Sequence, residues 1–221
     1  MLTAGQCCCA SSRTFVQAGI YDRFVARAVE LARQRKVGAQ WEEEVEQGPQ
    51  IDKAQFDKVL SLISAGRAEG AKLECGGARL GEKGYFIQPT VFSGVQDNMT
   101  IAREEIFGPV QSIFKFSTME ELIGGANDTT YGLAAGVLTS NINNALTFSQ
   151  VTRDFFILII TISYQAVQAG SVWVNCFLAN MAQTPFGGFK QSGYGRELGP
   201  EGGLAYVENK TITIAMKQKN S

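Results

Sequence analysis

Arg13-Thr14-Phe15-Val16 begins the part of the sequence that decides the fold, and a helical pattern follows it from Tyr21 to Val37. The first run has the β-branched and aromatic character of a strand. In the second, apolar residues recur every three or four positions, which predicts an amphipathic helix. Asp22 in its first turn and Gly38 just beyond it are typical of helix ends. A strand that leads into a helix favours an α/β fold.

The same alternation continues along the chain. Asp52 can cap a second helix, and Gln55 occupies the position that a capping box gives to Glu or Gln. A third helix near Thr118 has Glu121 in that position, and we expect it to end at Gly124-Gly125. This alternation predicts a mostly parallel sheet with flanking helices, of the α/β class. The other predicted elements are strands at 72–75, 85–92, 134–138 and 171–175 and a helix at 142–150.

Two segments in the last third depart from this rhythm. The run from Phe155 to Ile162 is apolar but too short to cross a bilayer, and a buried strand is its simplest interpretation. The segment from Lys210 to Met216 alternates in a two-residue period, which predicts a strand with no obvious partner in the tail. An unpaired terminal strand favours edge-to-edge association. We therefore expect a homo-oligomer in which a strand near Val207 to Met216 pairs across a subunit interface.

The composition excludes several classes of chemistry. The 221 residues contain no histidine, so the chain has no Ser-His-Asp triad, no Cys-His pair and no His-ligated metal. The cysteine spacing fits no zinc motif, and we expect no metal. Twenty Lys and Arg against twenty-one Asp and Glu leave a net charge of −1. This balance gives no electrostatic reason to expect binding to nucleic acid or to an anionic membrane.

The consecutive residues Cys7, Cys8 and Cys9 are the best candidates for a nucleophile. A thiol attacks only when ionised, and its unperturbed pKa is about 8.5. Without histidine, ionisation must come from backbone N–H groups, a helix N-terminus or a cationic neighbour. The odd count of five cysteines does not predict a disulfide framework. For any one of them, burial as a small apolar residue is the alternative interpretation.

Glu104-Glu105-Ile106-Phe107-Gly108-Pro109 is a second candidate site. Its adjacent carboxylates could serve in acid–base chemistry or accept hydrogen bonds from ribose hydroxyls, and a solvated helix end is the alternative. The segment from Gly193 to Gly199 is close to the dinucleotide-binding fingerprint. However, its third glycine comes one position late, and no strand precedes it closely. We therefore find no dinucleotide-binding glycine loop in the chain.

A series of short motifs covers nearly the whole chain: Gly5 to Ala10, Glu46 to Gln50, Tyr85 to Phe92, Glu104 to Pro109, Tyr131 to Ala135, Val172 to Cys176, Pro185 to Lys190 and Ser192 to Glu197. In this order they resemble the NAD(P)-dependent aldehyde dehydrogenase superfamily. The similarity is greatest to the class of mitochondrial and cytosolic acetaldehyde and retinal dehydrogenases. The resemblance implies an enzyme that oxidises aldehydes to carboxylic acids with NAD.

The resemblance also implies roles for the cysteines. Cys8 would attack the aldehyde carbon to give a thiohemiacetal, which becomes a thioester after hydride transfer and is then hydrolysed. Cys7, Cys9 and Phe186 would line the tunnel through which the aldehyde enters. Such a tunnel needs an apolar wall with few polar groups.

Four further residues match cofactor-binding positions of the resembled superfamily. Glu105 would hold the ribose on the nicotinamide side, and Phe107 would pack beside it. Gln55 and Lys58 would lie near the ribose of the cofactor. The capping role of Gln55 explains its presence equally well.

The resemblance divides the chain into a catalytic domain at 1–191 and a tail at 192–221 that carries the oligomerisation strand. The segment 151–165 has no counterpart in the superfamily.

A complete member is more than twice as long, so we expect the N-terminal dinucleotide-binding domain, the general-base glutamate and the oxyanion-binding asparagine to be absent. The chain alone would then be almost inactive. The alternative is a non-catalytic truncated subunit that docks onto full-length subunits. The expected compartment is the mitochondrial matrix or the cytoplasm, and no targeting segment is visible.

Overall fold

A four-stranded sheet forms the centre of the computed structural model, which describes residues 2–149 and 166–215. In spatial order its strands are β1 (Arg13–Gln17), β4 (Val110–Phe116), β3 (Thr90–Ser93) and β2 (Lys72–Cys75). β4 pairs in parallel with β1 and with β3, and β2 pairs antiparallel with β3. The predicted α/β class is confirmed, with a mixed sheet at its centre.

Helices cover both faces of this sheet. α1 (Tyr21–Gln34) shares a buried apolar cluster with Val91 of β3 and Ile113 of β4. α2 (Lys53–Ala68) shares another cluster with Phe92. Because neighbouring residues of a strand point to opposite faces, the two clusters lie on the two sides of the sheet. The remaining helices are α3 (Thr100–Arg103), α4 (Met119–Asn127), α5 (Ile142–Ser149) and α6 (Gly199–Leu204).

Two small sheets complete the fold. The strands of the parallel one confirm the predicted strands at 134–138 and 171–175, and each is one residue shorter than predicted. One sheet is antiparallel and the other parallel. The first consists of β5 (Tyr131–Gly132) and β8 (Phe189–Lys190), and the second consists of β6 (Ala134–Val137) and β7 (Ser171–Val174).

α4 confirms one prediction and corrects another. Thr118 and Glu121 form the predicted capping box. However, the helix does not end at Gly124-Gly125 but continues to Asn127. A Cβ atom on Gly125 would lie 2.9 Å from the ring of Phe15, so this glycine allows close packing against β1. The guanidinium of Arg13 also donates a 2.6 Å hydrogen bond to the Gly125 carbonyl, which satisfies an acceptor near the helix end.

The predicted strand at 85–92 is wrong in its first half. β3 begins only at Thr90, directly after Pro89, which has no backbone N–H to donate. The preceding residues instead turn towards the segment before them, where Ile87 forms an isolated antiparallel bridge with Arg79. α1 is also shorter than predicted, because Val37 leaves the helical path and bridges to Gln47.

β4, the strand on which the sheet depends, is not among the elements predicted from the sequence. Its residues alternate between the two buried clusters, and Val110 and Ile113 are completely buried. The strand follows directly on the Glu104–Pro109 motif, whose carboxylates were interpreted as a candidate site. The missed α3, β5, β8 and α6 are too short for a periodic pattern to show.

The tail contains exposed apolar side chains and, in its described part, no strand. Residues 207–215 form neither helix nor strand, and Tyr206, Ile212 and Ile214 are exposed. Pairing of this segment across a subunit interface stays a prediction. The apolar run at Phe155–Ile162 and the atypical segment 151–165 lie outside the described residues. None of the described helices is both long enough and apolar enough to cross a membrane.

Ile113→Ala tests the position of β4 in the core. Ile113 is fully buried between the sheet and α1, so its truncation should lower the free energy of unfolding by about 2–5 kcal/mol in a urea titration. Ile51→Ala is the matched control, because the Ile51 side chain is 80% exposed and should change stability by less than about 0.5 kcal/mol. Equal effects of the two substitutions would contradict a central β4.

Candidate active site

The loop that carries Cys7–Cys9, here called the cysteine loop, packs against the Glu105–Gly108 turn, which precedes β4. Gly5 has a φ of +77°, a left-handed conformation that glycine adopts without strain. A Cβ atom at this position would lie 1.8 Å from the carbonyl oxygen of Gly108. No other residue could therefore stand at Gly5 without moving the backbone. This close approach places the loop that carries Cys7–Cys9 against the Glu104–Pro109 motif, so the two candidate sites lie on adjoining segments.

The side chain of Gln6 attaches the same loop to the segment that leads into α2. Its Oε1 accepts a 2.8 Å hydrogen bond from the backbone N–H of Ile51, and its Nε2 donates to the carbonyl of Pro49 at 3.3 Å. Gln6 thus fixes the residue just before the three cysteines. This role of Gln6 could not be predicted from local sequence patterns, because its partners are more than forty residues away in sequence.

The three thiols of the loop differ in their exposure. Cys8 is exposed, Cys7 is half-buried and Cys9 is buried. Burial, together with the neighbouring thiols of Cys8 and Cys7, raises the pKa of Cys9 to about 12. Cys9 therefore stays protonated at neutral pH and is a poor nucleophile. Of the three, Cys8 is the thiol that a small molecule reaches most directly.

The turn from Glu105 to Gly108 has an unusual backbone. Phe107 has a φ of +54°, which a bulky residue rarely adopts and which costs roughly 1–3 kcal/mol. Its neighbours hold it in place, because Ile106 is buried in the core and a Cβ atom on Gly108 would lie 2.5 Å from a methyl group of Val59. The side chain of Glu105 remains exposed.

Polar side chains of α2 bind the carbonyl groups of this turn. The Nε2 of Gln55 donates to the carbonyls of Ile106 at 3.0 Å and Phe107 at 2.8 Å. The Nζ of Lys58 donates to the carbonyl of Glu105 at 2.8 Å. Both residues therefore contact the Glu105–Gly108 turn, and the contacts that the structure shows are with the protein backbone. Their contact with a cofactor stays a prediction.

The capping interpretation of Gln55 is correct only in part. The carboxylate of Asp52 accepts a 2.8 Å hydrogen bond from the backbone N–H of Gln55 and so caps α2. A full capping box would also need the Gln55 side chain to return to the backbone of Asp52. It extends to the Glu105–Gly108 turn instead, because two carbonyl groups there need donors.

Phe186 lies in another part of the chain. It forms an isolated antiparallel bridge with Glu197, and two backbone hydrogen bonds of 2.7 Å join these residues. Its ring is half-buried. Its place in the wall of an aldehyde tunnel stays a prediction. Among the described residues, no group of three His, Cys, Asp or Glu side chains could hold a metal ion.

Comparison with known proteins identifies the family. The profile described as "Aldehyde dehydrogenase family" matches residues 1–212. The chain belongs to the aldehyde dehydrogenase family. It is 58% identical to "Aldehyde dehydrogenase 1A1" of Gallus gallus and 55% identical to "Aldehyde dehydrogenase, mitochondrial" of Homo sapiens, over 98% of its own length in each case. It spans only about 40% of the length of these two aldehyde dehydrogenases.

A solved aldehyde dehydrogenase structure has the same fold. The "NAD+ complex structure of aldehyde dehydrogenase from bacillus cereus" superposes with a TM-score of 0.86 at 43% identity. The alignment covers 97% of this chain and 40% of that protein. The agreement extends the family assignment from the sequence to the three-dimensional arrangement of the sheet and helices.

Thiol alkylation as a function of pH tests the ranking of Cys8 and Cys9. Iodoacetamide reacts with the thiolate, so at neutral pH it should label Cys8 well before Cys9, as measured by peptide mass spectrometry. Because the pKa of Cys9 is raised to about 12, its labelling rate should keep rising with pH throughout the alkaline range. In urea the two rates should become similar. Equal rates in the folded chain would contradict the difference in burial.

Gln55→Met tests the attachment of the turn to α2. The substitution keeps the length of the side chain but removes both hydrogen bonds to the turn. We expect a loss of about 1–3 kcal/mol in the free energy of unfolding in urea, because two partly buried carbonyls lose their donor. Gln34→Met is the control, since the amide of Gln34 is exposed and bonds only to Glu30. Equal stability of the two variants would contradict the role of Gln55.

Proposed function

We propose that the chain is the catalytic portion of an NAD-dependent aldehyde dehydrogenase that oxidises aldehydes to carboxylic acids, with Cys8 as the nucleophile. One observation carries the proposal. An exposed thiol stands between a half-buried and a buried one, on a loop that Gly5 holds against the Glu105–Gly108 turn. The similarity to aldehyde dehydrogenases over 98% of the chain supports the same reaction class.

The reaction begins at the Sγ of Cys8. Its thiolate forms a bond to the carbonyl carbon of the aldehyde, and the carbonyl electron pair moves to oxygen, which gives a thiohemiacetal. Cys9 is protonated at neutral pH and does not compete for the substrate. Its burial also gives the loop an apolar interior side, in keeping with a tunnel wall formed by Cys7, Cys9 and Phe186.

The residues of the turn suit the ribose of NAD on its nicotinamide side. Within the described residues, the exposed carboxylate of Glu105 has no ion pair or hydrogen bond, so it is available to accept hydrogen bonds from ribose hydroxyls. The half-buried ring of Phe107 lies two residues further on. Gln55 and Lys58 serve this site by fixing the backbone of the turn.

The chemistry that NAD supplies when bound is acceptance of a hydride, which converts the thiohemiacetal on Cys8 into a thioester. Attack of water on that thioester releases the carboxylic acid and restores the thiol. This second half of the reaction needs a general base, and the motifs of the chain contain no match to the glutamate that the family uses. We therefore assign the base to the upstream region that the longer relatives have, together with the dinucleotide-binding domain.

We propose two parts for the protein, with the boundary that the motifs indicate. Residues 1–191 form the catalytic domain and residues 192–221 form a tail for oligomerisation. The relatives include proteins named mitochondrial and cytosolic, so we propose one of these two compartments. The substrate class is an aldehyde with an apolar chain, in accord with the apolar wall expected of the tunnel.

Purified chain should show little or no NAD reduction with acetaldehyde. The physical reason is that neither the general base nor a dinucleotide-binding domain is among the matched motifs. Absorbance of NADH measures the rate, and Cys8→Ser gives the baseline. Robust turnover above that baseline would contradict the assignment of the chain as a catalytic portion.

A chimera tests the nucleophile itself. The upstream part of the Gallus gallus relative is joined to this chain, which supplies the groups assigned to that region. We expect NAD-dependent acetaldehyde oxidation that falls by about 1000-fold or more in Cys8→Ser, because the covalent step is lost. Cys176→Ser, which removes another exposed thiol, should retain the activity. An active Cys8→Ser chimera would overturn the assignment.

A second candidate function is docking of a non-catalytic subunit. The exposed apolar residues Tyr206, Ile212 and Ile214 favour it, because an apolar tail gains stability when another chain covers it. Co-expression with a full-length relative, followed by a pull-down and an activity assay, distinguishes the two functions. Absence of association would remove the docking function and leave the catalytic proposal untouched.

A further inference from the structure

A cleft of about 370 Å³ lies between the end of α1 and the edge strand β2, and neither the cysteine loop nor the Glu105–Gly108 turn contributes to it. Its wall combines two guanidinium groups, an amide and a thiol with apolar side chains. The lining residues of this α1–β2 cleft that carry the argument are Arg33, Arg35, Cys75, Gln88, Val37 and Leu80.

The positive charge of Arg33 is exposed at the rim of this cleft. Within the described residues, Arg33 takes part in no ion pair, and its guanidinium makes one long hydrogen bond of 3.4 Å to the backbone carbonyl of Glu74. The nearby carboxylate of Glu74 accepts a 2.6 Å hydrogen bond from Ser93 and forms a 2.9 Å ion pair with Lys72, both through Oε1, and the charge of Arg33 helps to lower the pKa of Glu74. A guanidinium presents several N–H donors in a planar fork that matches a carboxylate.

Cys75 places a reactive atom in the wall of the same cleft. The β2–β3 pairing has a bulge between Leu73 and Cys75, after which Cys75 stands opposite Val91. Its thiol is half-buried and donates a weak 3.9 Å hydrogen bond to the carbonyl of Pro89. Burial raises the pKa of the Cys75 thiol, and the charge of Arg33 acts in the opposite direction. The positive charge of Arg33 therefore favours the thiolate form of Cys75.

We propose that the α1–β2 cleft is a binding site for a small carboxylate with a short apolar tail. Arg33 would hold the carboxylate, with the amide of Gln88 as a further donor. Val37 and Leu80 would contact the tail, because these apolar side chains line the cleft beside the charges. Inorganic phosphate is also an anion but has no apolar tail. Comparing it with a tailed carboxylate therefore separates the apolar contribution to binding from the electrostatic one.

Charge-selective alkylation of Cys75 tests the site. Iodoacetate and iodoacetamide both form a bond from Sγ to their CH₂ carbon and release iodide, but only iodoacetate carries a carboxylate. The exposed Cys176 serves as the internal reference. We expect the ratio of Cys75 to Cys176 labelling, measured by peptide mass spectrometry, to be about fivefold higher with iodoacetate than with iodoacetamide. An equal or lower ratio with iodoacetate would overturn the proposal.

Two variants of the same helix locate the charge responsible. Arg33→Gln should abolish the preference for iodoacetate at Cys75 and leave the labelling of Cys176 unchanged. Arg23→Gln removes the same charge from the opposite end of α1 and should keep the preference. Both side chains are exposed, so both variants should keep the circular dichroism spectrum of the parent chain. A preference that survives in Arg33→Gln would contradict the assignment.

Protection against iodoacetamide identifies the ligand class. Hexanoate should slow the labelling of Cys75 in a saturable manner, whereas hexanamide and an equal ionic strength of chloride should not. Phosphate should protect less well than hexanoate, because it cannot contact the apolar wall. Equal protection by phosphate would overturn the assignment of a tailed carboxylate, and absence of protection by hexanoate would overturn the site altogether. None of these outcomes depends on Cys8, so they are independent of the proposed enzyme activity.

Discussion

The close contact between Gly5 and Gly108 is the constraint on which the rest of the site depends. A side chain at Gly5 would enter the carbonyl of Gly108, and a side chain at Gly108 would enter Val59 of α2. The cysteine loop, the turn and α2 therefore pack so closely at this point that neither glycine could carry a methyl group. This contact unites the cysteine loop, the turn and α2, which are far apart in sequence. The exposed thiol and exposed carboxylate owe their common location to it.

The same point connects the site to the sheet. Pro109 follows Gly108 and is buried, and its carbonyl accepts a 2.8 Å hydrogen bond from the backbone N–H of Thr90, where β3 begins. β4 begins one residue later and pairs with strands on both sides. A displacement of the turn would therefore disturb the register of the central strand. The positive φ of Phe107 is tolerated because this packing and the donors of α2 fix its surroundings.

What the sequence predicted correctly is local. α1, α2 and the capping box at Thr118 could be found because periodicity and capping residues act over a few positions. β4 was missed because both of its faces are buried, so apolar and polar residues do not alternate along its seven positions. The side-chain direction of Gln55 was also beyond local reasoning, since its partners Ile106 and Phe107 are about fifty residues away. The sequence could nominate the cysteines and Glu105, but only the fold shows that Gln6 and Gln55 attach their segments.

The cysteine loop and the segment around Phe186 are held in place by separate sets of hydrogen bonds. The hydrogen bonds of Gln6 and the close approach of Gly5 to Gly108 hold the cysteine loop in place. Phe186, in contrast, belongs to a part of the chain held by other bonds, such as those from Lys190 to the carbonyls of Asn127 and Thr129. The cysteine loop and the segment around Phe186 therefore have different supports in the fold. Reactivity of the Cys8 thiol thus reports on folding of the cysteine loop.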